Sequence, residues 1–485
     1  MTPQELRNSI LQLAIQGKLV EQRPEEGTAE DLYVQIQAEK QRLIKAGKIK
    51  KQKFLPEITE DEVPFDIPES WKWVRLGEIG SWSAGATPSR SNPDFYGGDI
   101  PWLKTGDLND GIVSGTPETI TELALEKTSV KLNPVGCVLI AMYGATIGKL
   151  CVNAIPITTN QACCACNCHE GVFNWYLFYF LMAMRKQFIG IAEGGAQPNI
   201  SREKIVNSII SLPPLEEQKR IVAKIEELLP YLYKYEKAWN KLEALNKKFP
   251  DDMQKSILQM AIQGKLVEQR EEEGTAEELL SGISVINNVE GRKVKQKEIT
   301  AITEEDISFE IPEAWKWIKL GNICTIARGG SPRPIKEYIT DGEDGVNWIK
   351  IGDTEKNGKY ISSTAEKIIP AGVAKSRMVH AGDFLLTNSM SFGRPYILKV
   401  DGCIHDGWLV ISQQKEVFDQ DYLYYLLSSV YAYSQFCGKV SGGVVKNLNS
   451  DKVANSVFPL PPLAEQERIV AKIEELVPIC KQLIK

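Results

Sequence analysis

A chain of 485 residues is too long for a single hydrophobic core and predicts more than one compact unit. Its composition, 43% apolar and 25% charged, is that of an ordinary soluble protein, and a formal net charge of −6 argues against a free-standing binder of polyanions. No apolar run approaches the roughly 18 residues of a membrane span. The opening stretch MTPQELRNSILQLAIQGKL carries Glu5 and Arg7 within a helical pattern, so it does not read as a signal peptide, and a cytoplasmic protein is expected. The ten cysteines lack framework spacing and read as reduced core residues.

Taken from its N-terminus, the chain presents everything twice. Leu6, Ile10 and Leu13 mark a short amphipathic helix, and Met253, Ile257 and Met260 mark its copy. ILQLAIQGKLVEQR at 10–23 returns as ILQMAIQGKLVEQR at 257–270, and GTAED at 27 returns as GTAEE at 274. Connectors rich in Lys and then Glu/Thr follow, at 47–62 and 289–305. IPESWKWVRLGEI at 67 returns as IPEAWKWIKLGNI at 311, and PWLKTGD at 101 has a weaker echo in NWIKIGD at 347. LPPLEEQKRIVAKIEELLP at 212–230 returns as LPPLAEQERIVAKIEELVP at 460–478, with sixteen of nineteen positions identical. A period near 247 residues is a duplicated module, unlike the short units of a solenoid.

The frame repeats closely while the blocks it encloses differ, as AMYGATIGKLCVNAIPITTNQACCACNC (141–168) differs from TNSMSFGRPYILKVDGCIHDGWLVISQQ (387–414). Each block mixes short Val/Ile/Trp/Tyr runs with Gly, Pro and Asn breaks and an apolar helix candidate, FNWYLFYFLMAM or DYLYYLLSSVYAY, which predicts an α+β domain. The expected segments are an N-terminal helix and connector (1–65), a first block (66–214), a central helical region and connector (215–310), a second block (311–462) and a C-terminal helix (463–485).

Ile221, Ile225, Leu228, Leu232, Tyr235, Trp239 and Leu242 step by fours and threes, a heptad seam from Leu215 to about Leu245; Ile469, Ile473, Leu476, Cys480 and Leu483 repeat it. Such a helix is about 45 Å long at 1.5 Å per residue. Pro230 and Pro478 fall inside the seam and predict a kink or break there. Joining the last helix to the first regenerates most of the central junction. This predicts a circular, pseudo-twofold arrangement in which two long antiparallel helices separate the two domains and the termini lie close together.

The motifs with chemical associations are weak. GATIGK (144–149) is one residue short of a phosphate loop, lacks the following Ser/Thr and reads as a strand-turn-strand. Cys163, Cys164, Cys166, Cys168 and His169 contain one C-x-x-C but no second pair at zinc spacing, and a buried strand is expected there rather than a metal site. LPPL lacks the polar residue that precedes the prolines in amino-methyltransferase motifs, and no GxxxxGK[ST] is present. No catalytic residue is assigned. His405 and its neighbour Asp406 could touch a base or form ordinary surface, and His380 sits in no evident triad.

Polar and basic side chains suited to base edges and phosphates gather where the blocks differ. In the first block they are Thr87, Ser89, Arg90, Lys104, Thr105, Tyr143, Thr146, Lys149, Asn160, Gln161, Gln197, Asn199 and Arg202. In the second they are Arg328, Ser331, Arg333, Lys350, Asn388, Ser389, Ser391, Arg394, His405, Lys446, Asn447 and Asn449.

The doubled LPPLxEQxRIVAKIEEL helix, the AIQGKL and W-K-W copies and the loops GATIGK…TTNQAC and GGAQPNIS resemble the specificity subunit of type I restriction–modification systems, over nearly the whole chain. The resemblance implies two target recognition domains, each reading one half of a bipartite double-stranded DNA target. It implies helices that set the spacer and dock two methyltransferase subunits, with Ile221, Ile225, Leu228, Leu232, Ile469, Ile473 and Leu476 as their seam, and through those two restriction/translocase subunits. It further implies a non-catalytic chain with no cofactor of its own; S-adenosylmethionine, ATP and Mg2+ belong to the partners. The second block departs from the pattern, with SFGRP for ATIGK and GGVVKNLN for GGAQPNIS. From the residues alone two other readings stay open: a structural adaptor carrying two protein-binding domains, and a DNA methyltransferase or nuclease with unrecognised motifs.

Overall fold

The computed structural model describes residues 1–50, 54–192, 199–281, 288–289, 292–293, 299–355, 358–388, 393–413, 416–437 and 448–482. It divides into two compact units, Met1–Leu242 and Glu243–Lys485. Gln197, Ser389, Ser391, Lys446, Asn447 and Leu483 lie outside the described residues.

The first unit starts with helix Pro3–Ile15, closed by a Thr2/Glu5 capping box, and helix Ala29–Lys45, capped by Thr28. These caps satisfy amide donors that a helix start leaves orphaned. Strand Lys72–Arg75, the W-K-W opening, pairs antiparallel with Ile209–Leu212, which runs into LPPL. The chain therefore enters and leaves the divergent block through one ladder. Inside the block a five-stranded sheet runs in the order Gly80–Ala84, Cys163–Cys168, Val138–Ala141, Leu150–Asn153, Gly111–Val113. Its pairs are antiparallel except the last. A smaller sheet places Tyr96–Leu103 between Thr119–Ile120 and Thr158–Thr159.

GATIGK forms the turn between strands Val138–Ala141 and Leu150–Asn153, a hairpin rather than a phosphate loop. The cysteine run is the strand Cys163–Cys168. Cys164 and Cys166 face one core with Val138, Ile140 and Leu177, while Cys163 and Ala165 face another with Leu139 and Cys151. Burial pushes the Cys164 thiol up to about 12 and that of Cys163 well above its ordinary value, which keeps both protonated. Among the described residues no group of three or more His, Cys, Asp or Glu is placed to hold a metal ion.

The second unit repeats the plan. Lys316–Lys319 pairs with Val457–Leu460. A five-stranded sheet runs Cys324–Arg328, Trp408–Gln413, Phe384–Thr387, Pro395–Leu398, Tyr360–Ile361. The sheet beside it, three-stranded in the first unit, has five strands here, with Val346–Ile349 between Glu366–Ile368 and Gly402–Ile404. DYLYYLLSSVYAY forms two helices, Gln420–Leu427 and Val430–Cys437. The Ser429 hydroxyl accepts from the Ala432 amide and so opens a new helix.

The long helix differs from expectation. Leu215–Ile262 is one helix of 48 residues, so the seam expected to end near Leu245 and the short helix marked by Met253, Ile257 and Met260 are continuous. Pro230 lies within it, and Pro478 within helix Leu463–Gln482; neither breaks its helix. Both prolines are exposed, as are Glu226 and Glu474 four residues earlier, whose carbonyls lose their amide donor. Those carbonyls can turn to water, and the buried residues on the opposite face hold the helix. Among the described residues no helix is long and apolar enough to cross a membrane.

Candidate nucleic-acid interface

The repeated helix start is a lock onto its own domain. In the first unit the Trp71 indole N–H donates to Glu217 at 2.9 Å and the Gln22 amide donates to the other oxygen at 2.6 Å. Arg220 clamps Glu26 with two bonds of 2.7 Å. Gln218 accepts from the Phe173 amide and donates to the Pro213 carbonyl. In the second unit Trp315 and Gln269 donate to Glu465 at 2.7 and 2.6 Å, Arg468 clamps Glu273, and Gln466 accepts from the Asp419 amide. The E-Q-x-R of each helix therefore fixes the side on which its block sits. Ile221 and Ile225 lie in the first unit's core, and Ile469 and Ile473 in the second's, with Leu232 buried and Leu228 and Leu476 half-buried. The isoleucine seam thus faces its own domain rather than another chain.

Burial raises the Glu217 and Glu465 carboxyls above their ordinary value, whereas the Arg220 and Arg468 hydrogen bonds lower Glu26 and Glu273. The two pairs act oppositely with pH. Glu26 and Glu273 stabilise the fold above the unfolded carboxyl value, and that stability is lost as pH falls through their depressed values. Glu217 and Glu465 oppose folding as pH rises through the carboxyl range. Arg468→Met is expected to cost about 1–3 kcal/mol at neutral pH, the worth of bonds to a charged, largely buried group, and most of that loss should vanish in acid unfolding curves. A variant as sensitive to acid as the unaltered protein would contradict this assignment.

The candidate residues fall into distinct places. Strand Tyr96–Leu103 delivers Lys104 and Thr105, the loop before it carries Thr87, Ser89 and Arg90, and the turn after Thr158–Thr159 carries Asn160 and Gln161. The Thr87 hydroxyl donates to the Gln161 amide oxygen. Lys104 and Arg90 both bind Glu118, which these bonds hold below the usual carboxylate range. The Arg90 guanidinium lies 4.4 Å from the Tyr96 ring centre and 5.2 Å from that of Trp102. Ser89 bonds Ser91. Tyr143, Thr146 and Lys149 belong to the GATIGK turn, where Tyr143 bridges to Asn199 and the Thr146 hydroxyl donates to the Tyr143 carbonyl. Arg202 is exposed, with a long bond to the Trp82 carbonyl.

In the second unit the candidates converge on a turn at Asp406. The Ser331 hydroxyl donates to its carboxylate at 2.7 Å, and Arg333 stands 3.6 Å from the other oxygen. Arg328 and Asn388 both donate to its backbone carbonyl, at 3.0 and 2.8 Å. Asn388 is buried, and Asn449 caps helix Ser450–Ala454, so both serve the fold. His405 faces inward: its nitrogens meet the Ile351 and Gly407 amides at 3.2 and 2.8 Å. Burial lowers its pKa, favouring the neutral ring. Lys350 binds Glu366 at 2.5 Å, and Arg394 is exposed. Glu118 and Glu366 escaped the sequence reading, which sought cations and amides, and Asp406 entered it only as the neighbour of His405. Spacing gave no signal for the glutamates, since Glu118 follows Lys104 by 14 residues and Glu366 follows Lys350 by 16.

Both turns press against glycine. A Cβ on Gly85 would stand 2.1 Å from the Thr159 carbonyl oxygen, and one on Gly329 2.1 Å from that of His405. Only glycine lets the loop reach the turn in either unit.

Residues 68–244 and 312–485, more than half of the chain, match the family model described as the type I restriction modification DNA specificity domain. The chain is 27% identical to the EcoAI specificity subunit and 25% identical to the EcoEI specificity subunit, both type I restriction enzymes of Escherichia coli. Each match covers 99% of this chain and 90% of the relative. Among solved structures, the HsdS subunit from Thermoanaerobacter tengcongensis is 20% identical, with a TM-score of 0.47 over 87% of this chain and 94% of that one. The doubled frame around two divergent blocks is thus that of a known class, and the chain belongs to the type I restriction–modification specificity family, a non-catalytic class of subunit that supplies DNA sequence specificity.

Proposed function

We propose that the two units are target recognition domains, each reading one half of a bipartite double-stranded DNA target. The repeated helices set the spacer between half-sites and dock two methyltransferase subunits, through which two restriction/translocase subunits join. S-adenosylmethionine, ATP and Mg2+ are assigned to those partners, and the complex works in the cytoplasm. The observation that carries this reading is the pairing of a duplicated frame with unlike reading turns. E-Q-x-R lock, W-x-K-x-G-D strand end and Lys–Glu pair are the same in both units, whereas the side chains at the turn differ. One frame with two different surfaces suits an asymmetric target.

Charge then limits what the chain does alone. Residues 66–211 hold 11 Lys+Arg and 13 Asp+Glu, and residues 311–459 hold 17 and 15. Lys104, Arg90, Lys350 and Arg333 each already face a carboxylate. Neutralising phosphates supplies much of the affinity for DNA, so the partners must provide much of it here. The isolated chain is expected to bind its target far more weakly than the chain–methyltransferase complex at about 150 mM salt. Equal affinities, measured by titration of labelled duplex, would overturn this reading.

A further inference from the structure

The two reading turns can be superposed residue by residue from their hydrogen bonds. Trp102 and Leu103 pair in parallel with Thr158 and Thr159; Trp348 and Ile349 pair likewise with Cys403 and Ile404. The next amide returns to the same strand in both, Asn160 to the Leu103 carbonyl and His405 to that of Ile349. Each turn closes identically, Cys163 N–H to the Asn160 carbonyl and Trp408 N–H to that of His405. The facing loop registers too, through Ala86 N–H on Thr159 and Gly330 N–H on Ile404. Gln161 is therefore the counterpart of Asp406, and Thr87 that of Ser331.

At this one position the units share a support and differ in the head group. A hydroxyl from the Thr/Ser-Pro loop donates to the side-chain oxygen in each, Thr87 to Gln161 and Ser331 to Asp406. Both heads reach solvent. The neighbouring Lys104–Glu118 and Lys350–Glu366 pairs are alike and cannot tell two half-sites apart. Building on the DNA reading above, we propose that Gln161 and Asp406 are equivalent base-reading positions, Gln161 selecting adenine and Asp406 selecting cytosine within a guanine–cytosine pair.

The chemistry follows from donor and acceptor patterns. A carboxylate only accepts and is repelled by phosphate, so at a DNA surface it is useful only against an amino group, for which cytosine N4 is the standard partner. The carbonyl of Gln161 has a second lone pair beyond the one Thr87 uses, and its amide donates, the pattern that meets adenine N6 and N7. Beside Asp406 the Arg333 guanidinium stands 3.6 Å away on the rim of an open depression of about 1030 Å3. Guanine O6 and cytosine N4 are hydrogen-bonded to each other, about 2.9 Å apart, so a donor and an acceptor side by side suit the major-groove edge of that pair. In the first unit Arg90 is instead drawn to Glu118 at 2.7 Å and laid over Tyr96.

The test uses the chain assembled with its methyltransferase subunits and a panel of duplexes, each carrying one substituted base pair of the mapped target. Asp406→Asn should lower affinity for the unaltered target by about 5- to 100-fold. It should also flatten the preference at a single guanine–cytosine pair in one half-site. Ser331→Ala should weaken the same preference to a lesser degree, and it decides the matter should Asp406→Asn fail to assemble. Gln161→Ala should flatten one adenine position in the other half-site. Binding to non-target DNA should be retained by Asp406→Asn, since a negative charge is lost. Unchanged preferences at every position, an equal loss at all of them, or a sensitive position other than guanine–cytosine would overturn the assignment. A wild-type complex indifferent to every substitution would overturn the half-site reading itself, and the same titration separates the two failures.

Discussion

Replacing Trp315 by alanine is expected to destabilise the second unit by about 3–5 kcal/mol, the usual cost of emptying a large aromatic site. Two effects combine. The indole is almost wholly buried, packed in the core that holds Ile257, Ile469 and Tyr422, so its removal leaves a cavity. It also donates to Glu465, a carboxylate that burial already disfavours in its charged form. With the indole gone, Gln269 is the remaining side chain bonded to that carboxylate. Compact domains are stable by only about 5–15 kcal/mol, so this unit should approach unfolding near body temperature. Trp315→Phe separates the contributions. It keeps most of the volume but loses the N–H, and is expected to cost about 1–3 kcal/mol. Trp71→Ala should do the same to the first unit, because Trp71 and Glu217 repeat the contact. Denaturant unfolding of the intact chain reads each change. A loss below about 1 kcal/mol for Trp315→Ala, smaller than any emptied aromatic site normally gives, would mean that the lock is ornamental.

The doubling was fully legible in the letters, and with it the α+β blocks and the buried cysteine strand. What the repeated letters do was not. Glu217 meets Gln22 and Trp71, and Arg220 meets Glu26; these partners lie far apart in sequence. Identity at both ends was visible without any sign that the two ends touch. The spacing of Ile221, Ile225 and Leu228 is equally that of a helix against another helix or against its own sheet-bearing domain, and periodicity cannot choose between them. The prolines misled for a related reason. Their cost in a helix depends on whether the carbonyl left behind can reach water, a property of the folded surface. At the proposed reading turns, the search for cations and amides found Arg333 and Gln161, and it weighed Asp406 only beside His405, as a base contact or ordinary surface. A carboxylate at a DNA surface makes sense only once its counterpart position is known, and that came from the paired strands. His405, conspicuous in the sequence, turns inward to the Ile351 and Gly407 amides.

The largest functional effect should come from exchanging the first divergent block. Strands Lys72–Arg75 and Ile209–Leu212 form one antiparallel ladder, so residues 76–208 begin and end side by side. The block can therefore be cut out with the ladder, the lock and the long helix left in place. Its core still has to meet Ile221, Val222 and Ile225, which a donor block from the same family supplies by its own matching face. The measurement is a map of methylated bases in the genome of a host carrying the exchanged chain with its methyltransferase partners. One half of the recognised sequence should change to that of the donor, while the other half and the spacer between them stay as they were. A change in both halves, or a change in the spacer alone, would contradict the account of two independent readers on one duplicated frame.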